Sequence, residues 1–261
     1  MPGHTKDGEA MATPRIGVMG GTGLLELATI PGAKEAGWEV ERLDDVIQAS
    51  PFGQVPLRCL TLHRKGSNAE VFFLQRHHAQ GDATRPPHRI NHHANVQAFV
   101  DAKVDAIVAV CSVGTLTERL PPGRVGVAKD ALDMTGVSTT FHEEDAVFTS
   151  MSTPFDPALC DRAETRLREV QGLDASTPLG VTYWLTQGPQ FETPAEVDAI
   201  ERLGGEVVGM TMPREAKLAA ERGMPYLALC IAANWAAGRS PEGRHAALDH
   251  ETVSAEAHRR L

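Results

Sequence analysis

Seven short apolar runs, rich in β-branched residues, recur along the chain with helical spacing between them, and this alternation constrains the fold most. The runs are Ile16-Gly-Val-Met, Val71-Phe-Phe-Leu, Ala106-Ile-Val-Ala-Val, Val125-Gly-Val-Ala, Val181-Thr-Tyr-Trp-Leu, Val207-Val-Gly-Met and Tyr226-Leu-Ala-Leu-Cys-Ile-Ala. Runs this apolar suit strands covered on both faces. Helical spacing is predicted over 91–103, 156–171, 194–203 and 213–222, with Pro194 and Pro213 where a first helical turn tolerates proline. Such an order predicts an α/β fold: a single domain with a central mixed β-sheet flanked by helices. A length of 261 residues suits one large domain, and no repeat or low-complexity linker divides it. Residues 1–14 are small and polar, so a flexible leader is expected there and a folded domain over 15–261.

Composition narrows the function. A formal net charge of −9 argues against a protein that neutralises nucleic-acid phosphates over a broad surface, so any anion must be held by a few local donors. No apolar run approaches the roughly 20 residues that span a bilayer, and the first ten residues lack a signal peptide's apolar stretch. Neither a nucleic acid nor a membrane is therefore expected as a partner. Cys59, Cys111, Cys160 and Cys230 are scattered without C-x-x-C pairing and read as free thiols, which together with the missing signal predicts a cytoplasmic protein.

Three stretches carry residues suited to chemistry. Gly20-Gly21-Thr22-Gly23 follows the first run; glycines let backbone N–H groups approach an anion, and Thr22 adds a hydroxyl. A tight turn is the plainer reading, and a dinucleotide fingerprint is disfavoured because Glu26 stands where its last glycine belongs. Arg76-His77-His78 follows the second run and offers charge-assisted donors for a phosphate, with the Arg fork able to bind bidentately; a solvated basic strand end is the alternative. The nearby His88, His92 and His93 raise a metal reading, but no Cys or paired carboxylate accompanies them, so no metal is expected. The third stretch joins Thr186–Thr193, Gly209–Pro213 and Ala233-Asn234-Trp235, each after a predicted strand, where open α/β sheets place ligands. Phe191, Glu192 and Asn234 offer an aromatic face, an acceptor and an amide, a set that fits a heterocyclic base with N–H groups. Taken singly, Phe191 also reads as core and Glu192 as the start of a helix.

Gly-Gly-Thr-Gly at 20–23, Arg76-His77, Arg89-Ile-Asn-His-His-Ala-Asn95, Val113-Gly-Thr-Leu, Gln187-Gly-Pro-Gln-Phe-Glu-Thr and Gly-Met-Thr-Met-Pro-Arg-Glu215 occur in this order, and the chain after Arg15 thereby resembles the trimeric purine nucleoside and methylthioadenosine phosphorylases. The resemblance implies a homotrimer that cleaves a purine nucleoside with inorganic phosphate as co-substrate and no other cofactor. It implies phosphate binding by Thr22, Arg76, His77, Ser112 and Thr211, and substrate binding by Val113, Gly114, Phe191, Glu192, Met210 and Asn234. Arg76, His77 and Asn234 would be the catalytic groups, Asn234 donating to purine N7 as negative charge develops there.

The base follows from two side chains. In the 6-aminopurine members an aspartate stands in place of Asn234 and a small hydroxyl residue in place of Glu192; the pair here resembles the 6-oxopurine members. A carboxylate accepts from the N1–H of hypoxanthine or guanine, which neutral adenine lacks. On the 5′ side the chain is most similar to members acting on methylthioinosine. Where a neighbouring subunit often supplies a histidine, Phe148 stands here and favours an apolar 5′ group. Two further departures are the added polar residues between His78 and Arg89 and an end at Leu261, short of the family's C-terminal helix. A methylthioadenosine phosphorylase and a non-catalytic nucleoside-binding relative are the competing readings.

Overall fold

The computed structural model describes residues 13–21, 33–79 and 84–244. Along the chain these form β1 (Arg15–Gly20), β2 (Glu39–Ser50), β3 (Gly53–Arg64), β4 (Ser67–Gln75), α1 (His92–Asp101), β5 (Ala106–Thr115), β6 (Val125–Asp133), α2 (Pro157–Val170), β7 (Gly180–Leu185), α3 (Pro194–Arg202), β8 (Val207–Gly209), α4 (Met212–Glu221) and β9 (Tyr226–Trp235). All seven predicted runs are strands and all four predicted helices form, so the α/β expectation holds. The leader assigned to 1–14 lies almost wholly outside the described residues, and β1 starts at Arg15.

The sheet is mixed, in the order β2-β3-β4-β1-β5-β8-β7-β6-β9 with β9 also paired to β5. That last pairing closes β5, β8, β7, β6 and β9 into a ring, while β4, β1 and the long β2–β3 hairpin extend from it as an open sheet. Strand β1 lies parallel between β4 and β5, so the carboxyl ends of all three meet at one edge. Strand β9 runs parallel to β5 with Cys111 opposite Cys230. Its register then slips: Val113 faces Ala232 but Gly114 faces Asn234, leaving Ala233 as an inserted residue. Such a bulge re-aims the side chain that follows it, here Asn234.

The β2–β3 hairpin has no counterpart among the predicted runs. Strand β2 is an edge with one neighbour and is exposed along most of its length, so its sequence mixes Asp44, Asp45 and Gln48 with Leu43 and Ile47 and shows no clean apolar run. Helix starts follow ordinary capping chemistry. Asn91 accepts from Ala94 N–H, Asp156 accepts from Leu159 N–H, and Thr193 forms a capping box with Glu196 ahead of Pro194. Helix α4 is the exception, because its cap residue Thr211 makes no side-chain cap bond.

Candidate active site

The carboxyl ends of β1, β4, β5, β8 and β9 and the loop after β7 enclose a cleft of about 580 Å³. Arg76, His77, Ser112, Val113, Gly114, Phe191, Glu192, Met210, Thr211 and Asn234 all line it. Thr22 lies outside the described residues. Phe148 is not on the cleft; it is 95% exposed, on a segment that also exposes Val147 and Met134.

One end of the cleft is built on a buried ion pair. Arg76 is 2% exposed, and its Nε and Nη2 donate to the two carboxylate oxygens of Glu215 at 2.7 and 3.0 Å. Glu215 is fully buried on α4 and also accepts from Tyr226 Oη at 2.8 Å, with His92 Nδ1 3.5 Å away. The Arg76 Nη1 donates to the Val110 carbonyl at 2.7 Å. This corrects one expectation: the guanidinium fork engages Glu215 and is not free to grip phosphate bidentately. A guanidinium this enclosed requires a carboxylate to offset its desolvation. Burial works against the charge of Glu215, but Arg76 and His92 outweigh it and hold the carboxyl at about 2; burial likewise opposes the charge of Arg76, and Glu215 more than restores it. Gly21 fits against this guanidinium, since a Cβ there would stand 2.6 Å from Nη1.

Around the ion pair further polar groups face the cleft. Ser112 Oγ and Gln75 Nε2 are buried and unbonded among the described residues, and Thr211 is buried with its hydroxyl unused for capping. His77 Nδ1 lies 2.8 Å from the Arg85 carbonyl. Burial, aided by the charge of Arg76, pushes the His77 imidazole down to about 4, so it is uncharged at neutral pH.

The other end is more open. Glu192 and Asn234 are half-buried, and Thr186 Oγ1 donates to Glu192 Oε1 at 2.7 Å. Burial raises the Glu192 carboxyl above its ordinary range despite that bond. Asn234 Nδ2 donates to the Trp235 carbonyl at 2.7 Å, which fixes the amide and leaves one N–H and the carbonyl for a ligand. Phe191 packs on a small cluster of Val110, Ile231 and Ala233 while also facing the cleft, so its core and ligand readings coincide. Glu192 precedes the α3 cap rather than opening the helix. Gly209 backs this wall against Tyr183, whose hydroxyl a Cβ at 209 would strike.

The histidines expected near 77–93 diverge. His78 Nε2 bonds Asn95 Oδ1, His93 Nε2 donates to the Thr140 carbonyl, His92 faces Glu215 and His88 is exposed. Among the described residues no three His, Cys, Asp or Glu side chains converge as a metal site would require.

Sequence reading missed Glu215, Gln75 and the Thr84–Pro87 wall of the cleft. For Glu215 a signal exists. It falls with Met212, Ala216 and Ala219 on the buried face of α4, and a carboxylate at a core position implies a cationic partner. Thr84–Pro87 belongs to the stretch of added polar residues, whose Arg85 also bonds back to His77 through its N–H.

Comparison with known proteins agrees with this architecture. The profile of the Phosphorylase superfamily matches residues 15–261. A probable S-methyl-5′-thioinosine phosphorylase of Methanothermobacter thermautotrophicus is 37% identical over 228 residues, 87% of this chain and 73% of the relative. The 6-oxopurine nucleoside phosphorylase of Pyrococcus furiosus is 33% identical over 236 residues, 87% of this chain and 82% of the relative. Among solved structures, a methylthioadenosine phosphorylase from an antarctic soil metagenomic library superposes with a TM-score of 0.74 at 25% identity, covering 95% of this chain and 84% of the other.

Proposed function

Because the chain belongs to the Phosphorylase superfamily, we propose that it cleaves a 6-oxopurine nucleoside with inorganic phosphate, and that the favoured substrate is S-methyl-5′-thioinosine, giving hypoxanthine and 5-methylthioribose 1-phosphate. The observation that carries the base assignment is the Glu192 carboxylate. It is fixed by Thr186 in the same cleft that Asn234 lines together with the buried, unpartnered Ser112 Oγ and Gln75 Nε2. An ionised Glu192 accepts from purine N1–H, and the free N–H of Asn234 donates to N7. Against adenine the carboxylate would face a bare lone pair, a mismatch of about 1 to 3 kcal/mol.

At the other end Ser112, Thr211 and His77, with the remaining Nη1 hydrogen of Arg76, hold phosphate, and Thr22 joins them. Met210 contacts the ribose beside Val113 and Gly114. As the glycosidic bond lengthens, positive charge grows on the sugar and negative charge on the purine; phosphate stabilises the first and Asn234 the second. The phosphate oxygen bonds the anomeric carbon, the electron pair of the breaking bond leaves with the purine, and no enzyme-bound covalent intermediate forms. Neither a metal nor an organic cofactor takes part.

The exposed Phe148 supports a homotrimer in which it completes a neighbour's 5′ pocket. Four free cysteines support a cytoplasmic role in purine salvage, and among the described residues no helix is long and apolar enough to cross a membrane. The test is incubation with phosphate and, in turn, inosine, guanosine, methylthioinosine and methylthioadenosine, with each free base quantified. Methylthioinosine should be cleaved fastest, and only when phosphate is present. Preference for methylthioadenosine would replace the base assignment, and nucleoside binding without base release would make the protein a non-catalytic relative.

A further inference from the structure

His77 meets the cleft with a fixed protonation pattern. Its Nδ1 lies 2.8 Å from the Arg85 carbonyl, an oxygen that can only accept, so the ring hydrogen belongs on Nδ1. Arg85 N–H in turn donates to the His77 carbonyl at 2.7 Å, which ties the ring and the loop together from both sides. Nε2 has no partner among the described residues and is not among the enclosed atoms, so it opens to the cleft that His77 lines.

Burial keeps the imidazole uncharged; among its neighbours Arg76 and His92 add to this, while the Arg85 carbonyl and Glu215 oppose it. Arg76 precedes it on the strand end, Arg85 faces it from the loop, His92 from α1 and Glu215 from α4; the Glu215 charge that could support an imidazolium is engaged by Arg76. The uncharged ring with hydrogen on Nδ1 therefore presents a lone pair, not a donor, to the anion corner.

We propose that His77 Nε2 accepts the hydrogen of a P–OH group, so that the site selects tetrahedral oxyanions that carry a hydroxyl over those that do not. This rests on the phosphate reading given above and sharpens it. Hydrogen phosphate has one hydroxyl and two charges: its O–H points at Nε2, and its unprotonated oxygens are left for the Ser112 and Thr211 hydroxyls and for attack on the sugar. Sulfate at neutral pH has the same shape and charge but no hydrogen, so one of its oxygens would meet the Nε2 lone pair. Sulfate can bind well only if Nε2 first takes up a proton from solution. His77 thereby determines anion specificity and also turns the nucleophile so that its hydroxyl faces away from the reaction.

Calorimetric titration of the full chain with phosphate, arsenate and sulfate from pH 6 to pH 8.5 tests this. At pH 8 phosphate and arsenate should bind alike and sulfate roughly a hundredfold more weakly, the scale of an unmatched buried polar contact. Sulfate affinity should strengthen as the pH falls, because its well-matched binding consumes one proton, and the gap to phosphate should narrow with it. His77→Gln, whose amide can donate, should bring sulfate close to phosphate at every pH. Equal phosphate and sulfate affinities at pH 8 in the unaltered protein, or a sulfate affinity flat with pH, would overturn the role of Nε2 while leaving the phosphate site in place. Failure of phosphate itself to bind would instead remove the phosphate reading on which the inference stands.

Discussion

At the anion end of the cleft, Arg76, Glu215 and Tyr226 are almost wholly enclosed and bind one another across β4, α4 and β9. At the base end, Glu192 and Asn234 are half-buried, and each is held by a single bond to a close neighbour in sequence, Thr186 and Trp235. The first end is therefore part of what holds the sheet to the helix, and the second sets a loop residue, Glu192, with Asn234 from the end of β9. Substitutions should follow that division: at the anion end stability and activity fall together, and at the base end selectivity changes while the fold persists.

The largest effect belongs to the buried pair. Glu215→Leu leaves the Arg76 guanidinium enclosed without a counter-charge and should lower unfolding free energy by about 3 to 5 kcal/mol, read from urea denaturation. Adding Arg76→Met should recover most of that stability without recovering phosphorolysis. Recovery of both would mean that the pair serves the fold alone. The acid response has a definite sign. The Glu215 carboxyl is held at about 2 against an ordinary 4.5, so its stabilisation is complete above 4.5 and is lost as the pH falls towards 2. His77, at about 4 against an ordinary 6.5, binds its proton more readily when unfolded, so it subtracts stability as the pH falls from 6.5 to 4. Denaturant midpoints should decline in two stages, and His77→Gln should shrink the upper one, to which His78 and His92, also held below their ordinary range by burial, contribute the rest.

Next in size is base choice. Hypoxanthine substrates should exceed adenine substrates in kcat/KM by roughly a hundredfold. Glu192→Gln should bring that ratio close to one, because an amide donates to a bare N1 as readily as it accepts from N1–H. The denaturation curve should scarcely move, since the carboxyl destabilised by burial is what was removed. A variant that unfolded easily would break the contrast between the two ends.

How legible each end is in the sequence follows the same division. The residue types of the base end, Phe191, Glu192 and Asn234, come soon after the unmistakable apolar runs of β7 and β9, so the reading from run to site is short. At the anion end Arg76 and His77 are equally visible, but the partner that takes the Arg76 fork lies 139 positions away on a helix. The His77 tautomer depends on the Arg85 carbonyl, a backbone atom that no residue type announces. Long-range pairing and backbone geometry are fixed by packing, and a linear pattern does not carry them. Strand β2 was obscured for a related reason: with one neighbour and solvent along most of its length, it has no need of the apolar run that marks a buried strand.

A smaller shift is expected from Asn234→Asp, which removes the N–H proposed to donate to N7 and sets a carboxyl against the Trp235 carbonyl. Two oxygens cannot both accept, so the new carboxyl should hold its proton, and that single proton should turn from the Trp235 carbonyl to a base nitrogen more readily for the more basic N7 of an aminopurine than for that of an oxopurine. The oxopurine preference should fall about tenfold, the scale of one hydrogen bond, when both substrates are measured on both proteins. An unmoved ratio would show that Asn234 does not read the base.

The smallest effect is at Thr186. Its hydroxyl donates to Glu192 Oε1 and, among the described residues, is the one side-chain group that draws the carboxyl down against the upward push of burial. Thr186→Val keeps the volume and removes the donor, so the Glu192 carboxyl should rise further. Oxopurine recognition needs the ionised form, and the acid limb of kcat/KM for methylthioinosine should therefore move to higher pH. On the alkaline plateau of each profile, where Glu192 is ionised, only its orientation is lost, and the decrease should be a few-fold, about 1 kcal/mol. Below the displaced limb the decrease should widen for methylthioinosine but not for methylthioadenosine, because a protonated Glu192 donates to the bare N1 of adenine. Superimposable pH profiles for the two proteins would show that Thr186 merely fills space and that a single bond does not govern the charge of the base end.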